Sequence, residues 1–318
     1  MAPAMEYREI QEPVLPLLHA AERMLAREIG SQVKLIGELG RGTPVAGGKK
    51  IRAVFFFLLA RLSGARDEGL ADLGAAIEML HLSSLVHDDI VDHSSRRRGR
   101  QTPNHHFGDS VSVLWGDFLF ITSIRMLTRA ARTEAVSILA ETSRRMIEGQ
   151  VLEYANNFNY RLDARTYTDI IGRKTASLFE GIAVLAAGPG NRAAAADVKA
   201  FCRFGRDFGM IFQVSDDLLD IFSQRSGKGR FQDLKEGKVT LPYIRLIAGG
   251  GLRLIRSFDP ARPEPLLELC RRLGVRAQSL AIVDRHARRC REFLQRFPPS
   301  PERDSLAGLV DFIRRREY

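Results

Sequence analysis

Cysteine is scarce in this 318-residue chain, and the three present, Cys202, Cys270 and Cys290, show no metal-ligand spacing. An odd number so placed argues against a disulfide framework or a zinc site and points to a reducing compartment. The amino terminus lacks the apolar stretch of a signal peptide, and no segment reads as long and apolar enough to span a bilayer. A cytoplasmic protein is therefore expected. Low-complexity tracts and long linkers are missing as well, so residues 1–318 are expected to form one domain. At 45% hydrophobic and 27% charged residues, the composition is that of a folded globular protein.

Positive charge is in excess, with a formal net charge of +10. Such a balance attracts nucleic acid, anionic lipid or phosphorylated small molecules. The runs Arg285-His286-Ala287-Arg288-Arg289 and Arg314-Arg315-Arg316 carry no aromatic interleaving. They read as solvated helix faces, and no nucleic-acid partner is expected.

Apolar residues recur at helical spacing, as in Ile10, Val14, Leu17, Leu18 and Ala21, or Phe204, Phe208, Ile211 and Phe212. The chain reads as all-α. Breaks fall at Gly40 to Gly48, Arg98 to Pro103, Gly188 to Asn191, Gly249 to Gly251 and Phe297 to Pro301. The segments Ile51 to Leu62, Val111 to Ile121 and Thr175 to Ala187 are apolar on more than one face, the pattern of buried helices. A layered bundle follows, whose interior is where ligand and metal sites are usually built.

Two clusters, Asp88-Asp89-Ile90-Val91-Asp92 and Asp216-Asp217-Leu218-Leu219-Asp220, repeat one spacing in otherwise unrelated apolar segments. On a helix, this spacing would aim the first, second and fifth carboxylates at one small volume. A solvated acidic helix end is the alternative. The apolar residues preceding each cluster weigh against it, because unpaired buried carboxylates are costly. A cation must gather them, and oxygen donors without nearby His or Cys suit a hard ion such as Mg2+.

Basic residues accompany both clusters: Arg96-Arg97-Arg98-Gly99-Arg100 after the first, Lys228 and the segment Asp233 to Pro242 after the second. Gly47-Gly48-Lys49-Lys50-Ile51-Arg52 and Arg173-Lys174-Thr175 each stand at an expected helix start, where phosphate binds readily. Together these features suggest diphosphate-bearing substrates with an apolar remainder.

The sequence resembles the trans-isoprenyl diphosphate synthases of the polyprenyl synthetase family, of medium- or long-chain type. The likeness runs in order through Gly47 to Arg52, Glu78-Met79-Leu80-His81, Leu85 to Asp92, Arg97-Arg98-Gly99, Gly116-Asp117, Lys174-Thr175, Phe212 to Asp220 and Gly237 to Pro242. It implies an isoprenoid-synthase-type helical bundle around a central apolar cavity. It also implies a homodimer with at most peripheral membrane association for product release. By this resemblance Mg2+ is held by Asp88, Asp92 and Asp216, with Asp89, Asp217 and Asp220 in support. Arg97, Lys174, Thr175, Gln213, Lys228 and Lys238 would hold the allylic diphosphate. Lys49, Arg52, His81 and Arg98 would hold isopentenyl diphosphate. Departing diphosphate would leave an allylic cation in a dry cavity, to be attacked by the second substrate's double bond; the released diphosphate then takes the proton. No side-chain base is required, and His87 reads as a hydrogen-bonded helix residue.

Four positions depart from the family pattern: Gln101 and Ala53 where proline is common, Phe231 where glycine is, and Lys50 where arginine is. They bear on loop shape more than on charge. In this family, bulky residues four or five positions before the first cluster stop the growing tail. Here those positions are Ser84 and Ser83, so a product of geranylgeranyl length or longer is expected, with Leu80, Met79 and Ala76 as the next layers. A class I terpene cyclase would carry a different second motif, and a noncatalytic synthase subunit would have lost its Asp clusters. A basic nucleic-acid-binding protein, with Arg96 to Arg100 as its best feature, would bind with steep salt dependence and ignore magnesium.

Overall fold

The computed structural model describes residues 5–43, 48–66, 68–97, 99–129, 133–188, 195–223 and 230–315. Helices make up nearly all of it. In the amino-terminal part they are α1 (Tyr7–Gln11), α2 (Leu15–Glu28), α3 (Lys34–Gly42), α4 (Ile51–Leu62), α5 (Leu70–Val91), α6 (Pro103–Phe107), α7 (Asp109–Arg129) and α8 (Thr133–Ala155). After α9 (Ala164–Ile171) a π-helical turn, Gly172–Ala176, leads into α10 (Ser177–Ala187) and α11 (Ala195–Phe222). Then come α12 (Gln232–Lys235), α13 (Leu241–Ala248), α14 (Leu252–Arg256), α15 (Glu264–Arg272), α16 (Val275–Leu294) and α17 (Pro301–Arg314). Among the described residues the one sheet is a hairpin of β1 (Arg96–Arg97) and β2 (Arg100–Gln101), with Arg97 opposite Arg100.

The centre is built on α4, α10 and α11, as their uniformly apolar sequences predict. Val54 to Leu59 on α4 are 0% exposed, and Phe55 packs against Phe179, Phe204 and Phe208 at ring distances of 5.5, 5.6 and 4.5 Å. Burying one such side chain contributes roughly 1.5–3 kcal/mol. Gly209 lets α11 close on the π turn, since an added Cβ would sit 2.5 Å from Ala176 Cα. The helix α5 packs against α7 and α2.

The helix α7 corrects two expectations. It is long and apolar enough to cross a membrane by length and composition, although Trp115, Leu119, Ser123 and Met126 lie in the bundle. Nor is it buried all round, because Leu114 and Ile121 are 69% and 59% exposed. One apolar face meets α5, and the other has no partner among the described residues. It continues onto α8 through Ile147, Val151 and Tyr154, which are also exposed and share one face at helical spacing.

Candidate functional site

A cavity of about 820 Å³ lies among α5, α7, α8, the π turn and α11. Along α5 its wall runs from Leu80 through Ser83 and Ser84 to Asp88, a rise of about 12 Å at 1.5 Å per residue. Phe120, Met146 and Leu178 contribute apolar surface to the lining, and Arg52, His81, Arg97, Lys174, Gln213 and Asp216 contribute polar and charged groups. A greasy tail and a charged head would each find matching surface in one cavity.

Neither Asp cluster aims three carboxylates at one point, as the spacing suggested. Successive helical residues are 100° apart, so the second aspartate of each cluster turns off the cavity face. Asp89 is 3% exposed and accepts both bonds of the Arg97 Nε–H, at 2.8 and 3.0 Å. The hairpin brings Arg97 back to it. Thr102 Oγ1 donates to Ser94 O at 2.6 Å and Asn104 Nδ2 to Asp89 O at 3.2 Å, which fixes the return of the chain. Asp217 is 2% exposed and accepts from Tyr167 Oη at 2.5 Å and Gln213 Nε2 at 2.8 Å. Asp220 accepts from the Gln232 backbone N–H at 2.7 Å and Tyr243 Oη at 3.3 Å, so it caps α12. Asp88 and Asp216 line the cavity. Asp92 closes the end of α5, where Lys238 Nζ donates to it at 2.8 Å.

Burial dominates the electrostatics. It pushes Asp88 up against the pull of Lys174, pushes Asp89 up against Arg97, and raises Asp217 to about 7. Asp88 also stands at the negative end of the α5 dipole. Among the described residues no three His, Cys, Asp or Glu converge closely enough to hold an ion by themselves. The donor set still fits one: it is all oxygen, drawn from two facing helices, and its charge is only partly offset. A divalent metal is implied, held jointly with ligand oxygens.

The cations divide in two groups. Lys174 rises from the π turn, a distortion frequent at functional sites. It pairs with Glu153 on α8, while Thr175 Oγ1 donates to Gln213 Oε1 at 2.7 Å. Lys238 Nζ also contacts Glu236 at 2.6 Å. In the other group, Arg52 Nη1 donates to His81 Nε2 at 2.9 Å, and both line the cavity. Lys49 is not among the lining residues; its Nζ lies 4.4 Å from the Phe312 ring centroid, and Tyr7 Oη donates to its carbonyl. Arg98 and Lys228 lie outside the described residues.

The polyprenyl synthetase family model matches residues 33–252. The chain belongs to the polyprenyl synthetase family. It is 30% identical to the octaprenyl diphosphate synthase of Escherichia coli (strain K12), over 98% of this chain and 100% of that one. It is 33% identical to the nonaprenyl diphosphate synthase of Mycobacterium tuberculosis, over 84% and 82%. A crystal structure of a polyprenyl synthase from Caulobacter crescentus CB15, complexed with calcium and isoprenyl diphosphate, superposes with a TM-score of 0.91 at 30% identity. That match covers 99% of each chain. The all-α isoprenoid-synthase bundle is thereby shown.

Within a polyprenyl synthetase, three of the four sequence departures have a local account. The Ala53 N–H donates to Glu78 Oε1 at 2.9 Å, a bond that proline could not make. Lys50, at the start of α4, reaches Glu22 on α2 at 3.2 Å. Phe231 adopts φ 60°, a conformation easier for glycine, and its ring packs on Phe258 at 4.7 Å. Gln101 is exposed on β2, and nothing in the structure explains it.

The sequence reading missed Gln150 and Glu153 on α8. Gln150 lines the cavity with a buried Oε1 that has no hydrogen-bond partner among the described residues, and Glu153 holds Lys174. Gly149 was the available signal: it permits α8 to touch the π turn, an added Cβ lying 2.7 Å from Lys174 Cα. Ser83 and Ser84 both line the wall, but Ser83 is 3% exposed and donates to Gly116 O at 2.8 Å.

Proposed function

We propose that this polyprenyl synthetase is a Mg2+-dependent prenyltransferase. It condenses isopentenyl diphosphate with an allylic diphosphate, releases diphosphate and gives an all-trans product of geranylgeranyl length or longer. The observation that carries the reading is one cavity whose lining includes Asp88 and Asp216, from two separate clusters, together with apolar residues such as Leu80, Phe120, Met146 and Leu178. The relatives named for octaprenyl and nonaprenyl products support the chain length.

Asp88, Asp92 and Asp216 would hold Mg2+, with Asp89, Asp217 and Asp220 supporting indirectly. When bound, the ion neutralises charge that develops on the departing diphosphate. Arg97, Lys174, Thr175, Gln213, Lys228 and Lys238 grip the allylic diphosphate. Lys174 suits that role, because Glu153 and Asp88 more than offset the effect of burial on its basicity and keep it protonated. Arg52, His81, Lys49 and Arg98 hold isopentenyl diphosphate beside it. The apolar wall excludes water, so the allylic cation meets the double bond rather than hydroxide. Released diphosphate takes the proton.

The same reading makes the enzyme a cytoplasmic homodimer that meets membranes at most peripherally. Support for the dimer comes from the exposed apolar face of α7 and α8, which a second copy would cover. Incubation with labelled isopentenyl diphosphate, Mg2+ and a panel of allylic primers tests the activity. Incorporation that stops when the ion is chelated supports it, and no incorporation with any primer refutes it.

A further inference from the structure

Phe158, three residues beyond α8, has φ at 61°, a conformation few residues other than glycine and asparagine adopt. It is also 59% exposed. Backbone strain and hydrated aromatic surface are both unfavourable, and neither is needed to make the turn. That turn is fastened by asparagines: Asn156 Nδ2 donates to Leu152 O at 2.8 Å, and Asn159 Nδ2 to Asn156 Oδ1 at 2.9 Å. Asparagine or glycine at 158 would suit the local geometry better.

What Phe158 holds lies elsewhere in the chain. Its N–H donates to Gly237 O at 2.7 Å, and its ring covers Gly237 so closely that an added Cβ would sit 2.6 Å from the ring edge. Gly237 itself has φ 79°. The next residue is Lys238, whose Nζ spans Asp92 and Glu236. The same short segment is tied on its other side, where the Lys238 N–H donates to Asp233 O at 2.8 Å.

We infer that Phe158 is a positioning residue for Lys238. Its ring and N–H clamp Gly237, so that Lys238 is held toward Asp92. The inference rests on the reading of Lys238 as a diphosphate-binding residue. Any replacement except proline keeps the N–H, so the ring is the part that mutation isolates.

The test compares Phe158→Asn, Phe158→Tyr and Lys238→Met in the full chain. Asparagine removes the ring while relieving the backbone, so Phe158→Asn should unfold at the same or a higher temperature. Its kcat/KM for the allylic diphosphate should nonetheless fall about tenfold, with the KM for isopentenyl diphosphate unchanged. Phe158→Tyr should restore the rate. Adding Phe158→Asn to Lys238→Met should cost nothing further, because both act through one contact. Full activity of Phe158→Asn beside an impaired Lys238→Met overturns the inference alone. Full activity of both variants overturns the reading of Lys238 and the inference with it. A loss that tracks dissociation into protomers by sedimentation also overturns it, and makes the ring an interface residue.

Discussion

Lys238 and Asp92, 146 residues apart in the sequence, meet in a 2.8 Å ion pair beside the cavity. Burial works against the Lys238 ammonium, but Glu153, Asp92 and Glu236 outweigh it and raise its pKa above the ordinary value. The lysine therefore stays charged wherever the enzyme works. Lys238→Met should lower kcat/KM on the order of a hundredfold, by loss of one charged contact to the leaving group. Steady-state kinetics checks this, with Lys238→Arg expected to recover only part of the rate because a planar fork replaces a point charge.

Product length should respond at Ser84 more cleanly than at Ser83. Ser84 is partly exposed in the cavity wall, and its hydroxyl bonds within its own helix, to His81 O at 2.8 Å. Ser84→Phe should therefore shorten the product with little loss of stability. Ser83→Phe would also shorten it, but it breaks the bond to Gly116 and overpacks α5 against α7, costing about 1–3 kcal/mol. Chromatography of the products, alongside thermal melts, separates the two outcomes.

Gly149→Ala should damage the site through the backbone. The methyl would press on the π turn at Lys174, so both melting temperature and rate should fall, by about 1–3 kcal/mol in stability. If the melting temperature drops but the rate holds, the close approach is structural and Lys174 is not displaced by it.

Acid stability should depend on Glu28. Burial pushes its carboxyl up, but Arg129 at 2.6 Å and Arg125 at 2.9 Å outweigh that and hold it below its ordinary 4.5. A carboxylate depressed by folding stabilises the protein above its unfolded pKa, and the stabilisation is lost as pH falls through the folded value. Wild-type melting temperature should therefore fall below about pH 4.5. Glu28→Gln should lower stability by about 1 kcal/mol at neutral pH, since both arginines are half exposed and screened, and should flatten this part of the acid profile.

How much of this was legible in the sequence varies with the range of the interaction. Ile51 to Leu62 was expected as a buried helix, and α4 spans those residues, because the apolar run from Ala53 to Ala60 covers every face of a helix. Val111 to Ile121 had the same appearance, yet Val113, Leu114 and Ile121 face outward, since composition alone cannot tell a buried face from an exposed one. The Asp clusters were visible as patterns. That Asp217 turns to Tyr167 and Asp220 to Gln232 was not, because those partners lie 50 and 12 residues away and only the packing of α9, α11 and α12 brings them together. Glu153 stayed hidden because one acidic residue on a helix looks the same whether it faces solvent or Lys174.

Metal and diphosphate should bind cooperatively. No ion-holding group of three is assembled among the described residues, so Mg2+ alone should raise the melting temperature little, and Mg2+ with inorganic diphosphate should raise it well beyond the sum of either. Additive shifts would mean a preformed metal site.

The most direct measurement is the product of the purified enzyme given farnesyl diphosphate, labelled isopentenyl diphosphate and Mg2+. The open wall at Ser83 and Ser84 predicts extension to geranylgeranyl length or beyond, abolished by chelation. Farnesyl diphosphate recovered unextended would contradict it.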